Sequence, residues 1–135
     1  MGNQRFYKTE RIKSKLMIDN LFTKGAESFT NYPIRVVYKP MKTTGKESVK
    51  ILLSVPKKRI KHAVGRNRVK RLFRESYRLN KKELIEQLEQ KENKLMVGLI
   101  YLSSNIIEFE EMNRKIKEIL TQIKTNLTGD EKVSN

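Results

Sequence analysis

Apolar and polar residues alternate over two short stretches in the first half of the chain, and this pattern predicts two β-strands. Over residues 33–39, Ile34, Val36 and Tyr38 fall on one face. Every second residue of the stretch 49–55 is apolar in the same way, and a proline, which has no backbone N–H to donate to a ladder, follows it. A third stretch, 94–102, is apolar almost throughout, which is typical of a central strand covered on both faces.

Helical periodicity marks the remaining segments. The spacing predicts a short helix over 15–23, a basic helix over 66–79, a polar helix over 82–91 and a last helix over 108–127. One buried stripe of the basic helix is formed by Val69, Leu72, Phe73, Ser76 and Tyr77.

The order of these elements predicts a two-layer α/β domain with a small sheet. The connection from residues 49–55 to residues 94–102 is long enough to be a parallel crossover that contains the basic helix. No linker divides the chain, so we expect a single domain over residues 1–127 and a disordered polar tail over residues 128–135.

Charge is distributed unevenly along this pattern. The 135 residues carry a formal net charge of +15. Residues 1–78 hold 21 Lys and Arg against 5 acidic residues, a net charge of +16, whereas residues 79–135 hold 9 against 10. An excess of this size indicates a polyanionic partner, with nucleic acid the first candidate and an anionic membrane surface the second.

The charge is densest over residues 57–78, which contain ten Lys and Arg and one acidic residue. Apolar residues interrupt the run at helical spacing, so we expect it to fold and to hold its cations in fixed directions. Lysine and arginine neutralise phosphates, and arginine also forks onto phosphate oxygens or stacks on bases. The candidate RNA-binding residues are Lys57, Lys58, Arg59, Lys61, Arg66, Asn67, Arg68, Lys70, Arg71 and Arg74. For Asn67, a local capping role is the alternative.

Composition excludes several kinds of chemistry. The chain has no cysteine and one histidine, which excludes disulfides, thiolate metal sites and multi-histidine metal sites. It has two aspartates, far apart in sequence, whereas two-metal hydrolysis needs several converging carboxylates. We therefore expect no catalytic residue and no metal bound by the protein. No apolar run reaches the length of a membrane span and no secretory signal is present, so we expect a cytoplasmic protein that does not bind membranes.

The segment SVPKKRIKHAVGRNRVKRLFRESYR strongly resembles the signature of the bacterial ribonuclease P protein subunit, in which a V-x-K-K step precedes A-V-x-R-N-R-x-K-R-x-x-R-E on a helix. The segment LMIDNLFTKG resembles the first helix of that family. The resemblance implies an α/β sandwich in which a mixed four-stranded sheet packs with three main helices. It also implies a left-handed βαβ crossover, against the usual right-handed rule. The fourth strand would lie near residues 27–31 or 103–107.

The resemblance also implies a function. The family protein is a cofactor to a catalytic RNA that, with magnesium, removes the 5′ leader of precursor tRNA, so the chain would be a subunit of an endoribonuclease whose chemistry the RNA carries. The basic helix would lie against the catalytic RNA, with one protein per RNA. A cleft between the sheet and the first helix would hold the leader, and its matching positions are Ile18, Phe22, Val36 and Tyr38.

Three other functions are consistent with parts of the pattern. A ribosomal or other structural RNA-binding protein would show the same charge profile, and the VPKK step with the RNR helix argues against it. A membrane-surface helix would need a wide apolar face, which the core requires here. A stand-alone nuclease would need more carboxylates.

Overall fold

The computed structural model describes residues 25–41 and 47–133, with side chains described through residue 128. It contains four strands and three helices in these ranges. They are β1 Glu27–Asn31, β2 Ile34–Pro40, β3 Val49–Ser54, α1 Ala63–Asn80, α2 Lys82–Gln90, β4 Leu95–Tyr101 and α3 Phe109–Val133. The predicted helix over residues 15–23 lies outside the described residues.

The four strands form one mixed sheet in the order β1-β2-β4-β3. β1 pairs with β2 and β2 pairs with β4 in antiparallel fashion, whereas β3 and β4 are parallel. Parallel strands require a long connection, and α1 and α2 provide it between β3 and β4. The predicted two-layer α/β fold with a mixed four-stranded sheet is confirmed, and the fourth strand is the one over residues 27–31. The hand of the crossover stays a prediction.

The register determines which side chains share a face of the sheet. Val36 pairs with Leu99 and Tyr38 pairs with Val97, so these residues project to the same side. All four are buried in the main core. The other face carries a smaller cluster centred on Val37 and Met96. Strand β4 therefore contributes to a core on each of its faces, as its nearly continuous apolar sequence predicts.

Helices α1 and α3 cover the main-core face of the sheet. α1 buries Val69, Phe73 and Tyr77, and the ring of Phe73 meets that of Tyr101 edge-on at a centroid distance of 6.1 Å. Edge-to-face aromatic pairs are favourable because the positive edge of one ring meets the negative face of the other. One face of α1 is thus fixed against the core, and the opposite face is left to solvent.

Two helix boundaries differ from the sequence prediction by more than one residue. α1 begins at Ala63, before the predicted start at residue 66. α3 extends to Val133, past the predicted end at residue 127, so the segment from Thr128 to Val133 is helical where a disordered tail was predicted. The hydroxyl of Thr128 donates to the Lys124 carbonyl and accepts from the Gln87 amide of α2. These contacts tie the added turn to the domain, although the turn is polar.

Candidate nucleic-acid interface

The outer face of α1 is covered with cationic side chains because the helical period separates them from the apolar stripe. Asn67, Arg68 and Arg71 are exposed, and Lys70 and Arg74 are half-buried, whereas Val69 and Phe73 between them are fully buried. The side chains of Arg68 and Arg71 make no hydrogen bond or ion pair within the described part of the chain. Their guanidinium groups remain available for an anionic partner.

The segment that leads into α1 forms a tight turn that presents further cations. The N–H groups of Arg59 and Ile60 both donate to the Pro56 carbonyl, at 2.9 and 3.2 Å. This turn exposes Lys57, Lys58 and Arg59 and buries the side chain of Ile60. Lys61, which follows the turn, is also exposed. Together with the outer face of α1, the turn forms one surface, which we call the basic surface: Lys57, Lys58, Arg59, Lys61, Val64, Asn67, Arg68, Lys70, Arg71 and Arg74.

Arg66 differs from the other predicted RNA-binding residues because its side chain turns back on its own chain. Its Nη1 donates to the carbonyl oxygen of Ile60 at 3.0 Å and to that of Lys61 at 2.7 Å. The side chain is half-buried in this position. The structure thus brings nine of the ten predicted residues onto the basic surface and gives Arg66 an internal role.

A shallow depression of about 480 Å³ lies on the basic surface, lined by Val64, Asn67, Arg68, Arg71 and Arg74. Val64 is 83% exposed, which is unusual for a large aliphatic residue in a helix that has an apolar stripe elsewhere. The sequence interpretation did not assign Val64 to the site. The signal was present, because Val64 shares its helical face with Arg68 and Arg71 and not with Val69 or Phe73.

Two of the residues predicted to line a leader cleft are buried instead. Val36 is fully buried and Tyr38 is 3% exposed, beneath α3. The Tyr38 hydroxyl accepts a hydrogen bond of 3.1 Å from the Asn126 side chain, and its ring meets that of Phe29 edge-on. The structure therefore places Val36 and Tyr38 in the main core and not on an accessible surface, because their face of the strand packs against helices. Ile18 and Phe22 lie outside the described residues.

The opposite face of the sheet carries polar and cationic side chains that the sequence interpretation missed. One row of the register crosses the sheet from Thr30 to Arg35, then to Ile100 and to Ser54. Thr30 and Arg35 are exposed, and Ile100 and Ser54 are half-buried. A row that combines a guanidinium, two hydroxyls and an aliphatic side chain offers both charge and contact area to a single strand of nucleic acid.

Two ionisable groups outside the basic surface have shifted pKa values with structural causes. Burial raises the pKa of the Tyr101 hydroxyl, which donates to the Asn105 carbonyl and accepts from the Ile107 N–H at 3.1 Å. The Asn31 amide donates to the Glu118 carboxylate at 3.0 Å and lowers its pKa. The Tyr101 hydroxyl holds the loop that precedes α3, and Glu118 links α3 to the end of β1, so both groups have structural partners and neither is a candidate for acid–base chemistry.

Neither a metal cluster nor a membrane span is found in the described ranges. In residues 25–41 and 47–133 no three His, Cys, Asp or Glu side chains come close enough together to hold a metal ion. None of the described helices combines the length and the apolar character needed to cross a bilayer.

Comparison with known proteins identifies similar chains along nearly the full length. A family model described as Ribonuclease P matches residues 6–124. The ribonuclease P protein component of Porphyromonas gingivalis is 36% identical over 120 residues, which are 89% of this chain and 87% of the relative. That of Chlorobium phaeobacteroides is 28% identical over 127 residues, 87% of this chain and 86% of the relative. The structure of the Staphylococcus aureus RNase P protein superposes with a TM-score of 0.68 at 20% identity, covering 87% of this chain and 97% of that one.

Proposed function

This chain belongs to the ribonuclease P protein family, and on that premise we propose that its basic surface docks it onto the RNA of ribonuclease P. The chain is the protein subunit of that endoribonuclease and acts in the processing of tRNA 5′ ends. Its partner is the ribonuclease P RNA. Nothing found favours the alternative of a structural RNA-binding protein without a role in cleavage.

The observation that supports this docking surface is the combination of exposure and order on α1. Arg68 and Arg71 are held on a helix whose other face is locked into the core by Phe73 and Tyr77. A cation carried on a fixed helix binds a phosphate without a large loss of backbone entropy. Each neutralised phosphate also releases condensed counterions, which favours binding at low salt.

The contribution of the protein to cleavage is electrostatic and geometric. The chain supplies no nucleophile, and the RNA partner with its magnesium ions carries the hydrolysis. The protein screens the repulsion between two polyanions and holds the substrate in a productive position, so that binding energy is used for orientation. One protein binds one RNA, and the complex acts in the cytoplasm on precursor tRNA.

The 5′ leader of precursor tRNA follows the face of the sheet opposite the main core. The support for this path is the exposure of this face to solvent. Its row of paired residues is at least partly exposed, whereas Val36 and Tyr38 on the other face are buried; the row consists of Thr30, Arg35, Ile100 and Ser54. A single strand lying across this row would have a guanidinium for its phosphates and an aliphatic surface for its bases.

The test is the affinity of the reconstituted complex for precursor and mature tRNA when Arg35 is replaced. We expect Arg35→Ala to weaken binding of the precursor several-fold and to leave binding of mature tRNA unchanged. The matched control is Arg114→Ala, which removes an exposed arginine from α3, where it faces the carboxylates of Glu111 and Glu118. Equal losses for both tRNAs in the Arg35 variant would contradict a leader path on this face.

A further inference from the structure

The turn before α1 approaches the helix unusually closely at Gly65. A Cβ atom placed on Gly65 would lie 2.7 Å from Cγ2 of Ile60 and 3.5 Å from the Ile106 side chain. The first distance is shorter than the van der Waals separation of two carbon atoms, so the two atoms would clash. Ile60 is only 7% exposed, so its side chain is seated against the helix backbone. Because isoleucine is branched at Cβ, it has little rotameric freedom to move aside. Glycine at position 65 therefore lets the turn rest on the helix.

Arg66, the next residue, holds the same turn from the polar side. One nitrogen, Nη1, donates to the carbonyls of both Ile60 and Lys61, at 3.0 and 2.7 Å. These two carbonyls precede α1, and no helical hydrogen bond satisfies them. Hydrogen bonds from a charged donor are shorter and stronger than those between neutral groups. The apolar seat at Gly65 and the guanidinium of Arg66 thus fix the turn by two independent contacts.

The fixed turn carries a cluster of like charges that would otherwise spread apart. Lys57, Lys58, Arg59 and Lys61 are all exposed within five consecutive positions. Mutual repulsion and backbone entropy both favour an open, mobile segment over a compact turn. A segment that becomes ordered only on binding loses affinity to that ordering.

We propose that Arg66 is a positioning residue, which holds the cationic turn 57–61 in place for RNA and does not itself bind a phosphate. Gly65 also helps to hold the turn, since the side chain of any larger residue at this position would displace Ile60. The proposal rests on the proposed function of the basic surface and deepens it. It assigns the basic residues two roles, direct contact for Arg68 and Arg71 and internal support for Arg66.

The first measurement is hydrogen exchange of the free protein, which does not depend on RNA binding. We expect Arg66→Ala and Gly65→Ala to speed exchange of the Arg59 and Ile60 amides at least roughly ten-fold, because the contacts that hold their turn are lost. Exchange of the β4 amides should stay unchanged, which shows that the domain remains folded. The matched control, Arg68→Ala, should leave the turn protected. Wild-type protection in both test variants would overturn the proposal.

The second measurement is the affinity for ribonuclease P RNA, compared in a double-mutant cycle. Replacing Lys57 and Lys58 together with alanine should weaken RNA binding on the order of ten-fold in the wild-type background. The same replacement should weaken binding by a similar factor in the Arg68→Ala background. In the Arg66→Ala background the same replacement should reduce RNA affinity much less, because the turn is already disordered there. Additive losses with Arg66→Ala would show that Arg66 binds the RNA directly.

Gly65→Ala separates the two roles further, because it changes no charge. Alanine favours the helix more than glycine does, so a purely helical effect would not weaken binding. We expect an affinity loss several-fold in size, and wild-type affinity would overturn the proposal. If Arg68→Ala and the lysine removals leave RNA affinity intact, the docking surface itself is wrong, whereas the exchange data still report on the turn.

Discussion

Replacing both Arg68 and Arg71 with alanine tests whether the basic surface binds the RNA. Both side chains are exposed, and neither makes a hydrogen bond or ion pair within the described residues. They are neighbours on one helix face, three positions apart, so we expect them to contact adjacent parts of the same RNA. The double replacement removes two cations from the basic surface and nothing from the core.

The magnitude follows from counterion release. Each phosphate contact contributes about 0.7 to 0.9 to the slope of log affinity against log salt concentration. Between about 50 and about 200 mM salt, one contact then changes affinity by about 2.6- to 3.5-fold and two contacts by about 7- to 12-fold. The loss of affinity between these two salt concentrations should therefore be smaller for the double variant than for the wild type by that factor.

Filter binding or fluorescence titration of the ribonuclease P RNA over this salt range measures the slope. Arg114→Ala is the control because it removes an arginine that is also exposed but is balanced by Glu111 and Glu118. The unfolding midpoint of the double variant should match that of the wild type, since surface substitutions of this kind change stability little. An unchanged salt slope with the fold intact would refute the assignment of Arg68 and Arg71 to the RNA interface.

Three further predictions concern the positions of polar groups in the fold. Tyr38→Phe removes the hydrogen bond from Asn126 and should lower the free energy of unfolding, measured by urea titration, by about 1 kcal/mol. The affinity for precursor tRNA should stay unchanged. A selective loss of precursor binding would instead indicate that Tyr38 contacts the leader. Because burial raises the pKa of Tyr101, its neutral form stabilises the fold fully below the unfolded value near 10.0, and this contribution is lost as pH rises through the higher folded value. Stability measured from pH 9 to 11 should thus fall less steeply in Tyr101→Phe, and identical slopes would contradict the shift. Asn31→Ala should raise the pKa of Glu118 toward its ordinary value of 4.5 in an NMR titration, and an unmoved pKa would show that Asn31 is not the cause.

The parts of the fold that follow from one-dimensional periodicity could be predicted from the sequence. The apolar run at β4 predicts a central strand, and the spacing of Val69, Phe73 and Tyr77 predicts the buried face of α1, both of which the structure confirms. In each case a single local pattern carries the information, because burial on both faces or on one stripe leaves a distinct signature.

The face of β2 that meets the helices could not be derived in this way. Alternation separates Ile34, Val36 and Tyr38 from Arg35 and Val37, but both sets contain apolar residues. Alternation with a period of two residues indicates which side chains share a face of the strand. It does not indicate which of the two faces is covered. That choice depends on where α1 and α3 pack, which is a tertiary property. The burial of Val36 and Tyr38, which were predicted to line a leader cleft, has this origin.

Arg66 and Thr128 illustrate a second limit. In the sequence Arg66 is one more cation in a basic run, and only the geometry of the preceding turn brings the carbonyls of Ile60 and Lys61 within its reach. Thr128 continues α3 where a polar tail is predicted, because its hydroxyl meets Gln87 of another helix. Contacts between separate elements determine both outcomes, and neither leaves a local signal.

Cleavage of precursor tRNA by the ribonuclease P RNA at low magnesium concentration tests the central claim most directly. The rate should be measured with no protein, with the wild-type chain, and with the variant in which both Arg68 and Arg71 are alanine. We expect the wild-type chain to restore cleavage that the RNA alone barely supports, and the double variant to need a higher protein concentration for the same rate. Equal rates with and without the wild-type chain, or full activity of the variant at the wild-type concentration, would contradict docking through the basic surface.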